Sequence, residues 1–173
     1  MAEYQPFEPG VEVLGQSLLS WIDGTQGRIA PVFANHGITE LDPDAWYPQQ
    51  TILDVMREFS QMSDMVRMGV CISENAPYPP NVENLQHALM LLDEGYRLNH
   101  RNNTMGEYHA EQVGERHIVI EAKTPYPSDF DYGLIYGMAT RYMPKGADLV
   151  ISLDLNKPTR KRGDDSCTYN ITW

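Results

Sequence analysis

The chain has 173 residues, a formal net charge of −11 at pH 7 and 42% hydrophobic residues. A chain of about 150 residues can bury roughly 70% of its unfolded surface, so this length suits one domain with a sizeable core. An acidic chain repels nucleic-acid phosphates and anionic membrane surfaces, so we expect neither as a partner. We therefore predict a single domain over residues 1–173.

The cysteine content favours a reducing compartment. Cys71 and Cys167 are too few for a disulfide framework, and they lack the short paired spacing of a structural zinc site. No signal-peptide pattern opens the chain, and no run approaches the roughly 20 apolar residues that a membrane-spanning helix needs. We expect a cytoplasmic protein that is not inserted in a membrane.

The first half of the chain has apolar residues at helical spacing. Five segments show this period and predict helices, at residues 11–24, 29–37, 48–59, 65–75 and 81–96. A strand is the alternative for the fourth segment. The prolines of "APYPP" separate it from the fifth, which has the clearest stripe and begins at Asn81 as the predicted N-cap.

From about residue 104 the period changes to two. The segments "GEYHAEQV" and "RHIVIEA" flank a turn at residues 114–115 and predict a hairpin. A helical stripe from Phe130 to Arg141 follows, and "ADLVISLDL" and "SCTYNITW" predict a second hairpin around the loop 156–166. The predicted fold is α+β: amino-terminal helices packed on a four-stranded antiparallel sheet with a helix between its two hairpins.

The last predicted strand alternates strictly. Cys167, Tyr169, Ile171 and Trp173 fall on one face, because successive side chains of a strand point to opposite sides of a sheet. An apolar face of this kind packs inward. We expect it to roof a hollow that the amino-terminal helices build.

The segment "RKRGDDSCTYNITW" resembles the carboxyl end of vinyl-4-reductase-type domains. Those domains share a superfamily with the haem–nitric-oxide-binding sensors and with the transport-particle subunits of Golgi traffic. The preceding "PYPSDFDYGLIYGMATRYMP" resembles the helix that this superfamily places between its hairpins. The resemblance implies a ligand-holding sensory or regulatory domain, commonly dimeric, with a cavity between helices and sheet.

Two features of these relatives are missing here. Vinyl-4-reductase-type domains often carry several cysteines in this region, which suggests a bound metal, whereas this chain keeps Cys167 alone. The haem-binding relatives place an axial histidine on the helix before the sheet, where this chain has His87, and a Tyr-x-Ser-x-Arg clamp on the haem propionates. No clamp of that spacing occurs in this sequence. Because His87 is present, haem or a transition metal stays one alternative for the cofactor.

Candidate site residues follow from these patterns. The predicted ligand-binding residues are Leu89, Leu92, Tyr96, Ile118, Ile120, Tyr136, Met138, Cys167 and Tyr169. Tyrosines and methionines around the helix at 128–142 suit a pocket for an apolar molecule, and they suit an ordinary core or a dimer face equally well. The predicted metal ligands are His87 and a cross-strand pair of His109 and His117. The basic cluster Lys157, Arg160, Lys161 and Arg162 favours a solvated loop over a phosphate site.

The leading functional hypothesis is a non-catalytic sensory domain. It would hold a small apolar molecule between helices and sheet and act as a homodimer through the small-residue face around Gly133 and Gly137. No nucleophile elbow, phosphate loop, dinucleotide fingerprint or zinc-protease motif supports catalysis. The alternatives are a haem- or metal-dependent gas or redox sensor, a tetrapyrrole vinyl-reductase-like enzyme, and a structural dimer with a filled core.

Overall fold

A computed structural model describes residues 3–59 and 61–173, and over that part of the chain it shows seven helices and two antiparallel sheets. The helices are α1 (Gly15–Gly24), α2 (Ala30–Asn35), α3 (Gln49–Glu58), α4 (Met62–Asn75), α5 (Leu85–Met90), α6 (Leu92–Leu98) and α7 (Ser128–Tyr142). The strands are β1 (Glu12–Leu14), β2 (Trp46–Pro48), β3 (His100–Arg101), β4 (Glu107–Gly114), β5 (His117–Lys123), β6 (Val150–Leu153) and β7 (Cys167–Thr172). The predicted α+β class is confirmed. None of the described helices has the length and apolarity needed to cross a bilayer.

The larger sheet has the predicted four antiparallel strands, in the order β4-β5-β7-β6. Ile120 on β5 pairs with Tyr169 on β7, and both side chains are buried. The Tyr169 hydroxyl donates to the carbonyl of Ser128 at 2.7 Å, so the first turn of α7 lies against this face. The face predicted to turn inward does so. It packs against α7, however, and none of its β7 residues lines the cavity described below, which corrects the predicted hollow beneath β7.

A second, three-stranded sheet has the order β2-β1-β3. Val13 pairs with Tyr47 on one side and with His100 on the other. Residues 12–14 were predicted to open a helix, and this prediction is wrong because their hydrogen-bonding partners lie far away in sequence. The small sheet fixes His100 beside the start of α1.

The predicted helix over residues 81–96 is two helices. Asn84, and not Asn81, is the N-cap of α5, because its Oδ1 accepts the His87 amide at 2.9 Å. Asn81 has a φ of 63°, outside the helical range. The helix breaks at Leu91, which has φ −92° and ψ 6° and lies between the end of α5 and the start of α6.

Helices α4 and α7 pack with their backbones in close approach. A Cβ atom added to Gly133 would lie 2.1 Å from the Val66 carbonyl oxygen, and one on Gly137 would lie 2.2 Å from the Ser73 hydroxyl. Gly69 on α4 faces α7 in the same way. The face around Gly133 and Gly137, predicted to form a dimer, is therefore covered by α4 of the same chain. A homodimer through another surface stays a prediction.

We expect Gly133→Ala to lower the free energy of unfolding by about 1–3 kcal/mol, as forced overpacking does in well-packed cores. The added methyl group cannot be placed without moving Val66, which outweighs the better helix propensity of alanine. Urea denaturation measures the change. The matched control is Thr140→Ala on the exposed side of α7, and equal stabilities for the two variants would contradict the packing argument.

Candidate functional site

A cavity of about 50 Å³ lies between the amino-terminal helices and the part of the molecule that carries the larger sheet. We call it the interface cavity. Its walls include Trp21 on α1, Tyr78 after α4, Gly95 on α6, Tyr108 on β4 and Phe130 on α7. Most of the wall surface is aromatic or aliphatic. A wider surface groove beside residues 5–11 has mainly exposed walls, so the interface cavity is the better candidate for a binding site.

His100 forms one polar corner of this cavity. Its Nδ1 lies 2.8 Å from the Tyr96 carbonyl oxygen, and its Nε2 lies 2.6 Å from the Tyr126 hydroxyl. A carbonyl only accepts, so Nδ1 carries the proton and Nε2 accepts the Tyr126 hydroxyl hydrogen. Burial lowers the pKa of His100 to about 4, although the hydrogen bond to Tyr96 opposes the shift. His100 is therefore neutral at pH 7, with both ring nitrogens in use.

The other polar side chains of the wall are also hydrogen-bonded. Ser17 donates to Asn99 Oδ1 at 2.5 Å, and Asn99 Nδ2 donates to the carbonyls of Pro77 and Gly95 at 2.8 and 2.7 Å. The Tyr78 hydroxyl donates to a backbone carbonyl of α5 at 2.5 Å. These bonds tie α1, α6 and the segment after α4 together around the cavity.

Trp21 is the exception. Its side chain is 1% exposed and lines the cavity, and its indole N–H has no hydrogen-bond partner in the part of the chain that the structure describes. The ring packs against Phe33 and, edge to face, against Phe130. A buried donor without an acceptor is costly, so this N–H is a polar group that a bound molecule could satisfy.

Behind the wall, Tyr108 leads to a buried ion pair. Its hydroxyl donates to Asp131 Oδ1 at 2.5 Å, and Thr124 donates to Oδ2 at 2.9 Å. Arg160 pairs with the same carboxylate and donates to the carbonyls of Ala122 and Thr124. Burial raises the pKa of Asp131, which the Arg160 charge opposes. Burial alone would lower the pKa of Arg160, but the Asp131 charge and the neighbouring Cys167, Tyr169 and Tyr108 side chains together raise it, so Arg160 keeps its proton.

The burial of Arg160 therefore corrects the prediction of a uniformly solvated basic loop. It is 3% exposed, whereas Lys157, Lys161 and Arg162 are exposed as predicted. The sequence gives no sign of this difference, because the four residues share one short segment.

The structure separates the predicted ligand-binding residues. Leu92 and Tyr96 line the interface cavity. Six others are buried in the core away from it: Leu89, Ile118, Ile120, Met138, Cys167 and Tyr169. Tyr136 is 42% exposed. Sequence reasoning missed Trp21 and His100 at the cavity, and it did not place Tyr78 and Tyr126 among the predicted ligand-binding residues.

The predicted metal ligands do not come together. His109 pairs with Glu121 and His117 with Gly114, which places the two histidines four positions apart along the hairpin, about 13 Å at the usual rise of a strand. His87 lies at the start of α5 and does not line the cavity. Among the described residues no three His, Cys, Asp or Glu side chains form a group that could hold a metal ion. The predicted cross-strand histidine pair is therefore wrong.

The residues of the cavity, as arranged here, do not fit haem. Sites for molecules of that size class occupy about 300–1,000 Å³, several times the volume of this cavity. No Arg or Lys is among the described residues of its wall to pair with carboxylates. His100, the histidine at this position, uses both ring nitrogens within the protein.

No family model matches this sequence, and no curated protein matches it. Solved structures do match the fold. An H-NOX protein from S. oneidensis in the Fe(II) ligation state superposes with a TM-score of 0.70 at 12% identity, over 92% of this chain and 95% of that one. An oxygen-binding H-NOX domain described as related to soluble guanylate cyclases superposes with a TM-score of 0.61 at 17% identity, over 91% and 93% of the two chains.

A third structure comes from work on haem distortion in the H-NOX family and has a TM-score of 0.63 at 16% identity. These neighbours support the resemblance to the fold of the haem–nitric-oxide-binding sensors. They give no support to its vinyl-4-reductase and Golgi parts. At identities of 12–17% the agreement concerns the path of the chain and not the side chains of the site. The chain therefore has the fold of the H-NOX domains.

Proposed function

We propose that the chain is a sensor domain that holds a small molecule in the interface cavity. The observation that carries this proposal is the position of the cavity, between the amino-terminal helices and the half that carries β4 and α7. A molecule bound there contacts both halves and can favour one arrangement of them over another. The structural neighbours, which are named H-NOX proteins, support a sensory role.

The side chains favour a mainly apolar occupant. Trp21, Tyr96, Tyr108 and Phe130 supply aromatic surface, and the wall has few polar groups that are not already bonded. This occupant agrees with the apolar-ligand hypothesis from the sequence. A dimer in solution remains part of the proposal, through a surface other than the one that α4 covers.

A haem-dependent gas sensor is the second candidate, and the structural neighbours favour it over the apolar-ligand hypothesis. Their names include an Fe(II) state, a nitric-oxide complex and an oxygen complex. The histidine to test for this candidate is His100, because it lines the cavity and His87 does not. The volume and the hydrogen bonding of the cavity weigh against haem.

Titration of the purified protein with haemin separates the two candidates. We expect no sharp Soret band, because the cavity lacks both the volume and a free histidine nitrogen. His87→Ala serves as the matched control for His100→Ala. A sharp band that is lost in His100→Ala and kept in His87→Ala would replace the leading proposal with the haem-dependent sensor.

Extraction of freshly purified protein, followed by mass spectrometry, tests the sensor proposal itself. We expect a retained small molecule in the wild-type protein and its loss in Ala76→Leu, which fills one side of the cavity. Native mass spectrometry of the same material reports the oligomer. The absence of any retained molecule, together with no binding of the probes described below, would contradict a sensory role for this cavity.

A further inference from the structure

We propose that the interface cavity takes an uncharged, ring-sized apolar molecule with one hydrogen-bond acceptor, and that this molecule displaces the side chain of Tyr78. The inference deepens the proposed function and rests on it. Three properties of the wall carry it: one spare donor, no charge, and one side formed by a segment outside the helices and strands.

The spare donor is the Trp21 indole N–H. Each other polar side chain of the wall discussed above has a hydrogen-bond partner within the protein, including both nitrogens of His100 and both hydrogens of the Asn99 amide. Trp21 lacks one in the described part of the chain. A molecule that offers an acceptor to this N–H removes the cost of leaving it unpaired. A molecule that offers only donors finds no comparable gain.

The wall also selects against charge. No Asp, Glu, Lys or Arg is among the described residues that line the cavity. The buried Asp131 and Arg160, which are linked to the wall through Tyr108, neutralise each other. A charged molecule would lose its hydration without gaining a counter-ion, which is far more costly than burying a single carbonyl oxygen.

The size of the cavity requires one wall to move. A dry apolar cavity of about 150 Å³ holds benzene, and this cavity has about 50 Å³. Tyr78 is the wall best placed to move. It lies in residues 76–84, which form neither helix nor strand, and the residue is partly exposed. Its hydroxyl makes one hydrogen bond, to the Ala88 carbonyl.

Gly95 provides the slot that the Tyr78 ring fills. A Cβ atom at Gly95 would lie 2.4 Å from a carbon of that ring, so a glycine is needed for the ring to sit against α6. When Tyr78 turns outward it leaves a space of the size and shape of one six-membered ring. Ligand and Tyr78 therefore compete for the same slot.

Cyclohexanone and methylenecyclohexane test the acceptor, because they share a shape and only the ketone accepts a hydrogen bond. Binding is followed by ¹H–¹⁵N NMR, in which the indole N–H of Trp21 gives its own signal. We expect cyclohexanone to move this signal. Trp21→Phe should weaken the binding of cyclohexanone about fivefold and that of methylenecyclohexane less than twofold, as loss of one hydrogen bond predicts.

Tyr78→Ala tests the moving wall. It should strengthen the binding of both probes by at least about threefold, because no free energy is then needed to displace the ring. Tyr136→Ala, on the exposed side of α7, should change neither affinity. An unshifted Trp21 signal in the saturated wild-type protein would overturn the proposed hydrogen bond from Trp21 to the ligand, even if Trp21→Phe fails to fold. Equal affinities in wild type and Tyr78→Ala would overturn the displacement. If neither probe binds but the purified protein retains another molecule, this ligand class fails and the sensor proposal stands.

Discussion

Asp131→Asn is expected to lower the free energy of unfolding by about 3–5 kcal/mol, the usual cost of removing one partner from a buried ion pair. The change leaves the Arg160 guanidinium charged and 3% exposed, without a counter-ion. It also weakens the acceptors for Tyr108 and Thr124. Urea denaturation followed by circular dichroism measures the loss.

Two controls isolate the uncompensated charge as the cause. The double variant Asp131→Leu with Arg160→Met should recover a large part of the loss, because it removes both charges and keeps similar volumes. Lys161→Ala breaks the exposed pair with Asp129 on the same two elements and should cost less than about 1 kcal/mol. If the loss of stability in the double variant equals the sum of the losses measured for Asp131→Leu and Arg160→Met singly, the charge argument is wrong.

Acidification from pH 7 to pH 4 is expected to remove about 3 kcal/mol of stability through His100 alone. Burial lowers the pKa of His100 from an ordinary 6.5 to about 4, and each unit of pKa corresponds to about 1.4 kcal/mol. As the pH falls below about 6.5 the unfolded chain binds a proton at this position and the folded chain does not. The stabilisation is therefore complete above pH 6.5 and is lost as the pH falls to about 4.

The variant His100→Asn separates this contribution from that of the carboxylates. Asparagine can still donate to the Tyr96 carbonyl but does not titrate, so the stability of the variant should fall less between pH 7 and pH 4. The carboxylates are the same in both proteins, so their contribution cancels in the comparison. Parallel pH profiles for wild type and His100→Asn would show that His100 is not held neutral by the fold.

The sequence predicted the parts of the fold that short-range patterns encode. The two hairpins, the helix α7 between them and the inward face of β7 follow from alternation and from helical spacing within single segments. The sheet β2-β1-β3 was missed because its strands are two or three residues long and pair across 30 to 90 positions. A three-residue strand has too few residues to show a period.

The sequence predicted less of the site than of the fold, because the site is built from segments that are far apart in the chain. Two predicted ligand-binding residues, Leu92 and Tyr96, lie at the cavity because one helix carries both. Tyr78 lies there because Gly95, 17 positions later, leaves room for its ring. The pair of His109 and His117 failed because the register of the hairpin, set by the turn, was not known from alternation alone.

By itself the sequence determined the fold class. The spacing of apolar residues shows which face of each helix and strand gains free energy by burial, and that spacing is present within single segments. Only the tertiary structure decided which polar groups were left over. Arg160 forms an ion pair with Asp131, and His100 forms a hydrogen bond with Tyr126. The indole N–H of Trp21 has no acceptor among the described residues. Hydrogen bonding within a core is a property of distances between segments, and no single segment contains it.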